Sequence, residues 1–326
     1  MYEEKILIGT DTISGVAPQI LDAIAEASNT KTLPYGNDIF TEECKNTVQN
    51  IFEKSDLEII PMVSGTASNS LAISSFLRSY GNVICHRDSH INKDEGGAPE
   101  FFSGGGKLLT ISNSQGRIEA EDLLKKIDEI NFKRKSTQVI SGVSITQLAE
   151  NGTLYSLDEI DAISKICKKN NLYLHMDGAR FSNALVSQRL ISPAEATWKV
   201  GVDCLSLGAT KNGAMAAELI IFFNKTLAIE AEYLIKQTGH LLSKTRFVSA
   251  QLNAWFNSGL WLELAMLANK NALYLRDQLS QFNDFKILFP TQGNEVFVKM
   301  SNSSYEKILK LNIIPNLWKQ FDKDHL

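Results

Sequence analysis

The sequence predicts an α/β protein with a mostly parallel sheet and a smaller α+β unit at its carboxyl end. Three observations lead there. Short β-branched runs alternate with amphipathic ones up to about Phe247, which is the signature of a sheet covered on both faces. Beyond Phe247 the pattern changes to long helical stretches followed by two short strand-like runs. At 326 residues the chain is too long for one small domain and long enough to bury a large core.

The strand candidates are Ile59–Val63, Asn82–Cys85, Leu108–Ile111, Gln138–Ser141, Leu172–Met176, Val202–Leu207 and Leu219–Phe223. Helical patterns lie between them at Ala67–Tyr80, Glu119–Ile130 and Leu157–Asn170. The last opens on Ser156 with Glu159 three positions later, a capping-box spacing. Two further helices are expected over Ser249–Leu267 and Leu267–Phe282, then strands at Lys286–Phe289 and Glu295–Met300 and a helix over Tyr305–Leu311. The expected boundaries are an N-terminal arm and large domain over residues 1–246, and a small domain over 247–326.

Composition excludes several classes. Net charge is −4 with no basic block and no aromatic ladder, so nucleic acid is not expected as a partner. The first residues, Met1-Tyr-Glu-Glu-Lys5, lack the regions of a secretory signal, and no uncharged apolar run reaches membrane-spanning length. Cys44, Cys85, Cys167 and Cys204 are scattered without a C-x-x-C, so neither a zinc site nor a disulfide framework is indicated. The expectation is a cytoplasmic protein with reduced, mostly buried thiols and no metal.

Chemistry concentrates in two segments. Leu172–Arg180 puts Asp177 at the carboxyl end of an apolar run, and Leu205–Lys211 puts a lysine in a small-residue loop behind another. Ligands of parallel sheets sit outside the carboxyl ends of the strands, so both belong to one site. A lysine amine and a carboxylate delivered this way suit pyridoxal 5′-phosphate (PLP): the amine forms a Schiff base with the aldehyde, and the carboxylate keeps the pyridine nitrogen protonated. The plainer alternative is a buried turn-capping aspartate and a surface lysine. Val63–Leu71 lies between a strand and a helix, where Gly65 permits close approach and Thr66, Ala67 and Ser68 offer donors for a phosphate. The same residues also read as an ordinary Ser/Thr N-cap. After the next strand, His86 and His90 share one segment, and His90 is the better placed to stack on a pyridine ring. Gly96-Gly97 and Gly104–Gly106 mark tight turns.

The chain resembles the threonine aldolase branch of the fold type I (aspartate-aminotransferase-like) PLP enzymes, nearest to the low-specificity bacterial group. The likeness runs from about Ile8 to Phe297. It rests on Gly9-Thr-Asp-Thr12, Tyr35-Gly36, Ser64–Asn69, Ser89-His90, Glu95-Gly-Gly97, His175–Arg180 and Thr210-Lys-Asn-Gly213. The resemblance implies cleavage of L-threonine or L-allo-threonine to glycine and acetaldehyde. It makes Lys211 the Schiff-base lysine, Asp177 the partner of the ring nitrogen, and Gly65, Thr66 and Ser68 the phosphate ligands. His90 would stack on the ring, and Arg180 would lie near the cofactor oxygen and the substrate carboxylate. Thr10, Thr12 and Tyr35 would approach the substrate, Tyr35 from a neighbouring subunit, and Arg246 would reach the phosphate across the interface. A homodimer or homotetramer with shared sites is thereby expected.

Two departures from the family pattern stand out. Many relatives carry a second histidine after the fourth strand, where this chain has Glu150, so base duty for the substrate hydroxyl is expected to fall to His90, directly or through a water. Nothing after Arg276 is an arginine, whereas relatives end on a strand whose arginine clamps the substrate carboxylate. Lys319 or Lys323 would be a poor substitute for that planar fork. On this reading the small domain is truncated, PLP binding survives and turnover is weak, since one charge-assisted pair is worth about 1.5–3 kcal/mol. Two other functions stay open: another PLP lyase acting on β-substituted amino acids, and a paralogue that binds PLP without turnover. A nucleotide-binding Rossmann protein ranks low, because no G-x-G-x-x-G follows a strand.

Overall fold

The computed structural model describes residues 5–132, 139–189 and 191–318. Eleven strands occur among them. In chain order they are β1 (Ile6–Leu7), β2 (Glu58–Met62), β3 (Gly81–His86), β4 (Lys107–Ile111), β5 (Val139–Thr146), β6 (Tyr173–Gly178), β7 (Cys204–Gly208), β8 (Glu218–Phe222), β9 (Phe285–Ile287), β10 (Val298–Met300) and β11 (Ile313–Ile314). Seven form the main sheet in the order β2-β8-β7-β6-β5-β3-β4. The pairs β3–β4, β3–β5, β5–β6 and β6–β7 are parallel, while β8 is antiparallel to both β7 and β2. Only β8 therefore runs against the rest, and the carboxyl ends of β2, β3, β5, β6 and β7 share one rim.

Alternation along the strands explains why the sheet needs cover on both sides. In β8, Leu219 and Ile221 belong to one core cluster, and Ile220 and Phe222 to the other. The first face is covered by helices including Pro18–Ser28, Ile39–Ile51, Leu157–Lys169 and Arg246–Phe256. The second is covered by Gly65–Ser74 and Lys225–Gln237, whose Ala228 and Ala231 allow close approach. The capping box closes as its spacing implies, with Ser156 Oγ accepting from the Glu159 N–H and the Glu159 carboxylate accepting from the Ser156 N–H. All four cysteines are buried and free. Among the described residues no helix is long and apolar enough to cross a membrane.

Three elements differ from the sequence expectation. β5 extends to Thr146, because Gly142 and Ser144, which read as a strand end, lie in a strand buried between neighbours; Gln138, expected to begin it, lies outside the described residues. The helix after β2 ends at Ser74, where Ser75 Oγ bonds back to the Ala72 carbonyl. The two long helices meet not at Leu267 but at Asn257–Gly259, where Ser258 (φ 53°) and Gly259 (φ 77°) take the left-handed conformation and stop the first helix. The second helix then runs Leu260–Leu279.

The smaller unit contains the antiparallel pair β9–β10 and the helix Asn302–Lys310. β1 pairs in parallel with β11, Ile6 against Ile313, so the N-terminal arm adds a strand beside the carboxyl-terminal segment.

Trp255 ties the helix Arg246–Phe256 to the rim. Its side chain is fully buried against Phe256 and Trp261, and its Nε1 donates to the Asn212 carbonyl at 2.9 Å. Trp255→Ala should cost about 3–5 kcal/mol, read from urea unfolding.

Candidate active site

Asp177 sits near the end of β6, in register with Ser206 of β7, and Lys211 lies five positions beyond Ser206 in the loop that β7 feeds. Glu150 and Glu218 each feel the charges of both Asp177 and Lys211, which places the two side chains around a common centre. The Asp177 carboxylate is buried and held from two directions: Asn69 Nδ2 donates to it at 2.9 Å and the Ala179 N–H at 3.1 Å.

The loop of Lys211 is a hairpin between two antiparallel strands, closed by Ala209 N–H to the Ala217 carbonyl. Its tip is pinned from outside. Asn212 Nδ2 donates to the Trp261 carbonyl at 2.8 Å, and Gln251 Oε1 accepts from the Met215 and Ala216 N–H groups. Gly213 has φ 94°, and a Cβ there would come within 2.7 Å of Leu264, so the turn requires glycine. Lys211 makes no ion pair among the described residues. Glu218, buried across the ladder from Gly208, is pushed up to about 7 by burial, against the pull of Thr210 and Lys211.

The helix Gly65–Ser74 begins at the same rim. Ser64 is its N-cap and accepts from the Ala67 N–H at 3.2 Å, while Ser68 Oγ turns back to the Ser64 carbonyl at 3.1 Å. Ser68 is thus committed within the turn. A Cβ added to Gly65 would meet nothing within 4 Å, so the space above the helix start is open.

On the other side, His90 Nδ1 lies 2.8 Å from Glu95 Oε1, and Asn69 Nδ2 donates to the same Glu95 oxygen at 2.8 Å. One amide nitrogen therefore bridges Glu95 and Asp177. The Glu95 bond raises the His90 imidazole, and burial raises the Glu95 carboxyl. Glu150 Oε1 accepts from the His90 backbone N–H at 3.3 Å, and burial raises its carboxyl despite the nearby Arg180.

Arg180 is tightly held. Its Nε donates to Asp11 at 2.7 Å, and its Nη2 lies 3.1 Å from Glu295. Asn294 Nδ2 also donates to Asp11 at 3.2 Å. Burial works to raise the Asp11 carboxyl, but the charges of Arg180 and Lys211 outweigh it and hold the group below the usual range. Glu295 is pushed up to about 7 by burial, with Arg180 opposing.

The residues expected at the site separate into two groups. Asp177, Lys211, Gly65, Thr66, Ser68, His90 and Arg180 all lie at or just beyond the carboxyl ends of the strands. Thr10 and Thr12 bond to each other at 3.1 Å on the exposed arm, and Tyr35 is exposed with its N–H on the Ser243 carbonyl. Arg246 begins a helix with its guanidinium 4.6 Å from the Phe247 ring centroid, and its buried Nε has no partner among the described residues. Sequence reasoning missed Asp11, Asn69, Glu95, Glu218, Asn294 and Glu295. Asp11, Asn69 and Glu95 stand inside motifs already noted. The signal available was charge: a buried arginine and a buried histidine each need an acid. Lys319 and Lys323 lie outside the described residues.

Similarity to known proteins gives the family. The beta-eliminating lyase family model matches residues 8–303. A low-specificity L-threonine aldolase from a Pseudomonas species is 40% identical over 94% of this chain and 88% of its own length. Its Pseudomonas aeruginosa counterpart is 39% identical over the same shares. The solved structure of the Leishmania major threonine aldolase superimposes with a TM-score of 0.90 at 28% identity, covering 98% of this chain and 91% of that one. A histidinol-phosphate aminotransferase from Clostridium acetobutylicum (TM-score 0.68, 17% identity, 96% of this chain and 87% of that one) shares the fold, which is fold type I.

Two outcomes test the site's internal bonding. Asn69→Ala leaves the carboxylates of Glu95 and Asp177 without their common donor and should cost about 1–3 kcal/mol in urea unfolding of the ligand-free chain. His175 lies wholly buried between Ser144 Oγ (2.9 Å) and Ser206 Oγ (3.0 Å), and burial lowers it from 6.5 to about 4. Below pH 6.5 the unfolded chain takes up a proton that the native state refuses. Stability from this group is thus complete above pH 6.5 and lost as pH falls toward 4. Melting temperatures across that range should fall in the native protein and fall less in His175→Gln.

Proposed function

We propose a function from one premise: this chain belongs to the beta-eliminating lyase family, on its threonine aldolase side. It is a PLP-dependent aldehyde-lyase that cleaves L-threonine and L-allo-threonine to glycine and acetaldehyde. The observation that carries this reading is the convergence of Asp177 and Lys211 at one rim, in a chain 40% identical to a low-specificity L-threonine aldolase.

The residues present fit the cofactor. A buried carboxylate, an amine without an ion pair and an open helix start lie on the same rim. When bound, PLP supplies a sink for the electron pair left on Cα as the Cα–Cβ bond breaks. Lys211 would hold the aldehyde end of the cofactor and would return a proton to Cα. Asp177, fixed by Asn69 and the Ala179 N–H, would face the ring nitrogen. The N–H groups at Gly65 and Thr66 receive the phosphate at the positive end of the helix dipole, and Ser68, whose N–H and Oγ both turn to the Ser64 carbonyl, joins them by rotating its hydroxyl. His90, oriented by Glu95, stacks on the ring. Arg180 meets the substrate carboxylate, and Asp11 and Glu295 hold its guanidinium in position.

The active form is a homodimer, or a homotetramer built from two such dimers. Thr10 and Thr12 approach the substrate from the arm, Tyr35 reaches a neighbouring subunit's site, and Arg246 reaches that subunit's phosphate. The exposure of Tyr35 and the buried, unpartnered Arg246 Nε support this sharing. Four buried free thiols support a cytoplasmic location.

The family description favours one second reading, elimination of a β-substituent by the same lysine and aspartate. Rates on threonine, allo-threonine, serine and phenylserine separate the two. Lys211→Ala should abolish the visible absorbance of lysine-bound cofactor and all glycine production; an unchanged spectrum after reduction and washing would remove Lys211 from this role.

A further inference from the structure

The retro-aldol step needs a group that removes the proton of the substrate's β-hydroxyl, and most acids at this rim are already engaged. Asp177 accepts from Asn69 and the Ala179 N–H and serves the ring nitrogen. The Glu95 side chain has no exposure, and its Oε1 is shared by His90 and Asn69. Asp11 and Glu295 hold Arg180. Glu218 is buried at the start of β8, opposite Gly208, and its carboxyl is bonded to Thr210. The His90 Nδ1 is committed to Glu95, and a ring stacked flat on a cofactor directs its nitrogens sideways rather than at a substrate above the same plane.

Glu150 is different. One of its oxygens accepts from the His90 N–H at 3.3 Å, which anchors the side chain, and the other has no hydrogen bond among the described residues. It is only partly buried, and it stands within electrostatic reach of His90, Asp177, Arg180 and Lys211, as well as Glu295. It occupies the loop after β5, bonded to the backbone of the histidine that would stack on the ring and within electrostatic reach of the arginine that would meet the substrate.

We infer that Glu150 is the base that takes the β-hydroxyl proton, an assignment that rests on the threonine aldolase reading above. The O–H bond breaks with its proton passing to the free Glu150 oxygen. The oxygen's electrons form the carbonyl of acetaldehyde, and the Cα–Cβ pair stays on the glycine side. Cα then takes a proton from Lys211, and Glu150 releases its own to solvent. Burial raises the Glu150 carboxyl, with Arg180, His90 and Lys211 opposing, and a raised carboxylate is the stronger base.

The test separates this step from the rest of the site by using glycine, which has no hydroxyl. Exchange of the glycine α-proton in D2O, followed by NMR, needs Lys211 and Asp177 but not a base at Cβ. Glu150→Gln should bind PLP with a dissociation constant within about threefold of the native protein, measured by titrating the unloaded chain. It should retain glycine exchange and lose cleavage of allo-threonine by at least about a hundredfold. In the unmutated enzyme, cleavage should fall on an acidic limb that glycine exchange lacks. Cleavage within about threefold of native in Glu150→Gln, equal losses of exchange and cleavage, or superimposable pH profiles in the native enzyme would each overturn the assignment. A native chain that exchanges glycine but cleaves neither threonine diastereomer removes the aldolase reading itself and this role with it.

Discussion

The pairing of β6 with β7 is the constraint on which the site depends. Parallel neighbours lie about 4.8 Å apart, and their register is fixed by Leu174, Met176, Leu205 and Leu207 on one face and by the Ser144–His175–Ser206 bonds on the other, so Asp177 opposite Ser206 is not adjustable. A one-residue slip would turn Asp177 into the opposite core layer, where no donor corresponds to Asn69. The acid and the amine of the following loop are therefore placed by sheet geometry. Loop chemistry alone could not hold them to that tolerance.

Around that fixed pair the protein has a charge problem. Asp11, Glu150 and Glu295 crowd Arg180 and Lys211, while Asp177 and Glu95 face each other across a short gap. Two devices deal with it. Asn69 stands between Asp177 and Glu95 as a neutral donor to both, which offsets part of the repulsion between them. Burial keeps protons on Glu150 and Glu295 to higher pH than usual, which reduces the repulsion.

Much of this was legible in the sequence. Every main-sheet strand was found, because buried strands leave continuous β-branched runs. Asp177 and Lys211 stood out because each follows such a run. The helix break at Ser258 and Gly259 was missed because a helical period continues on both sides of it. The acids were missed for another reason. Asp11 and Glu295 lie 284 positions apart, and only the pairing of the arm with the carboxyl-terminal segment brings both to Arg180. No local pattern encodes such a meeting. The threonines of Gly9-Thr-Asp-Thr12 drew attention as hydroxyls, while the carboxylate between them makes the buried contact.

The reversed direction of β8 fixes the mobility of the reactive amine. A parallel continuation would have led the chain away from Lys211 into a crossover helix, free to tilt as a unit. Here the chain doubles straight back, and Trp255, Trp261 and Gln251 grip the bend from behind. The backbone beneath Lys211 is thus an anvil. Whatever excursion the ammonium makes between one bonding partner and the next is confined to rotation about the four methylenes of its own side chain.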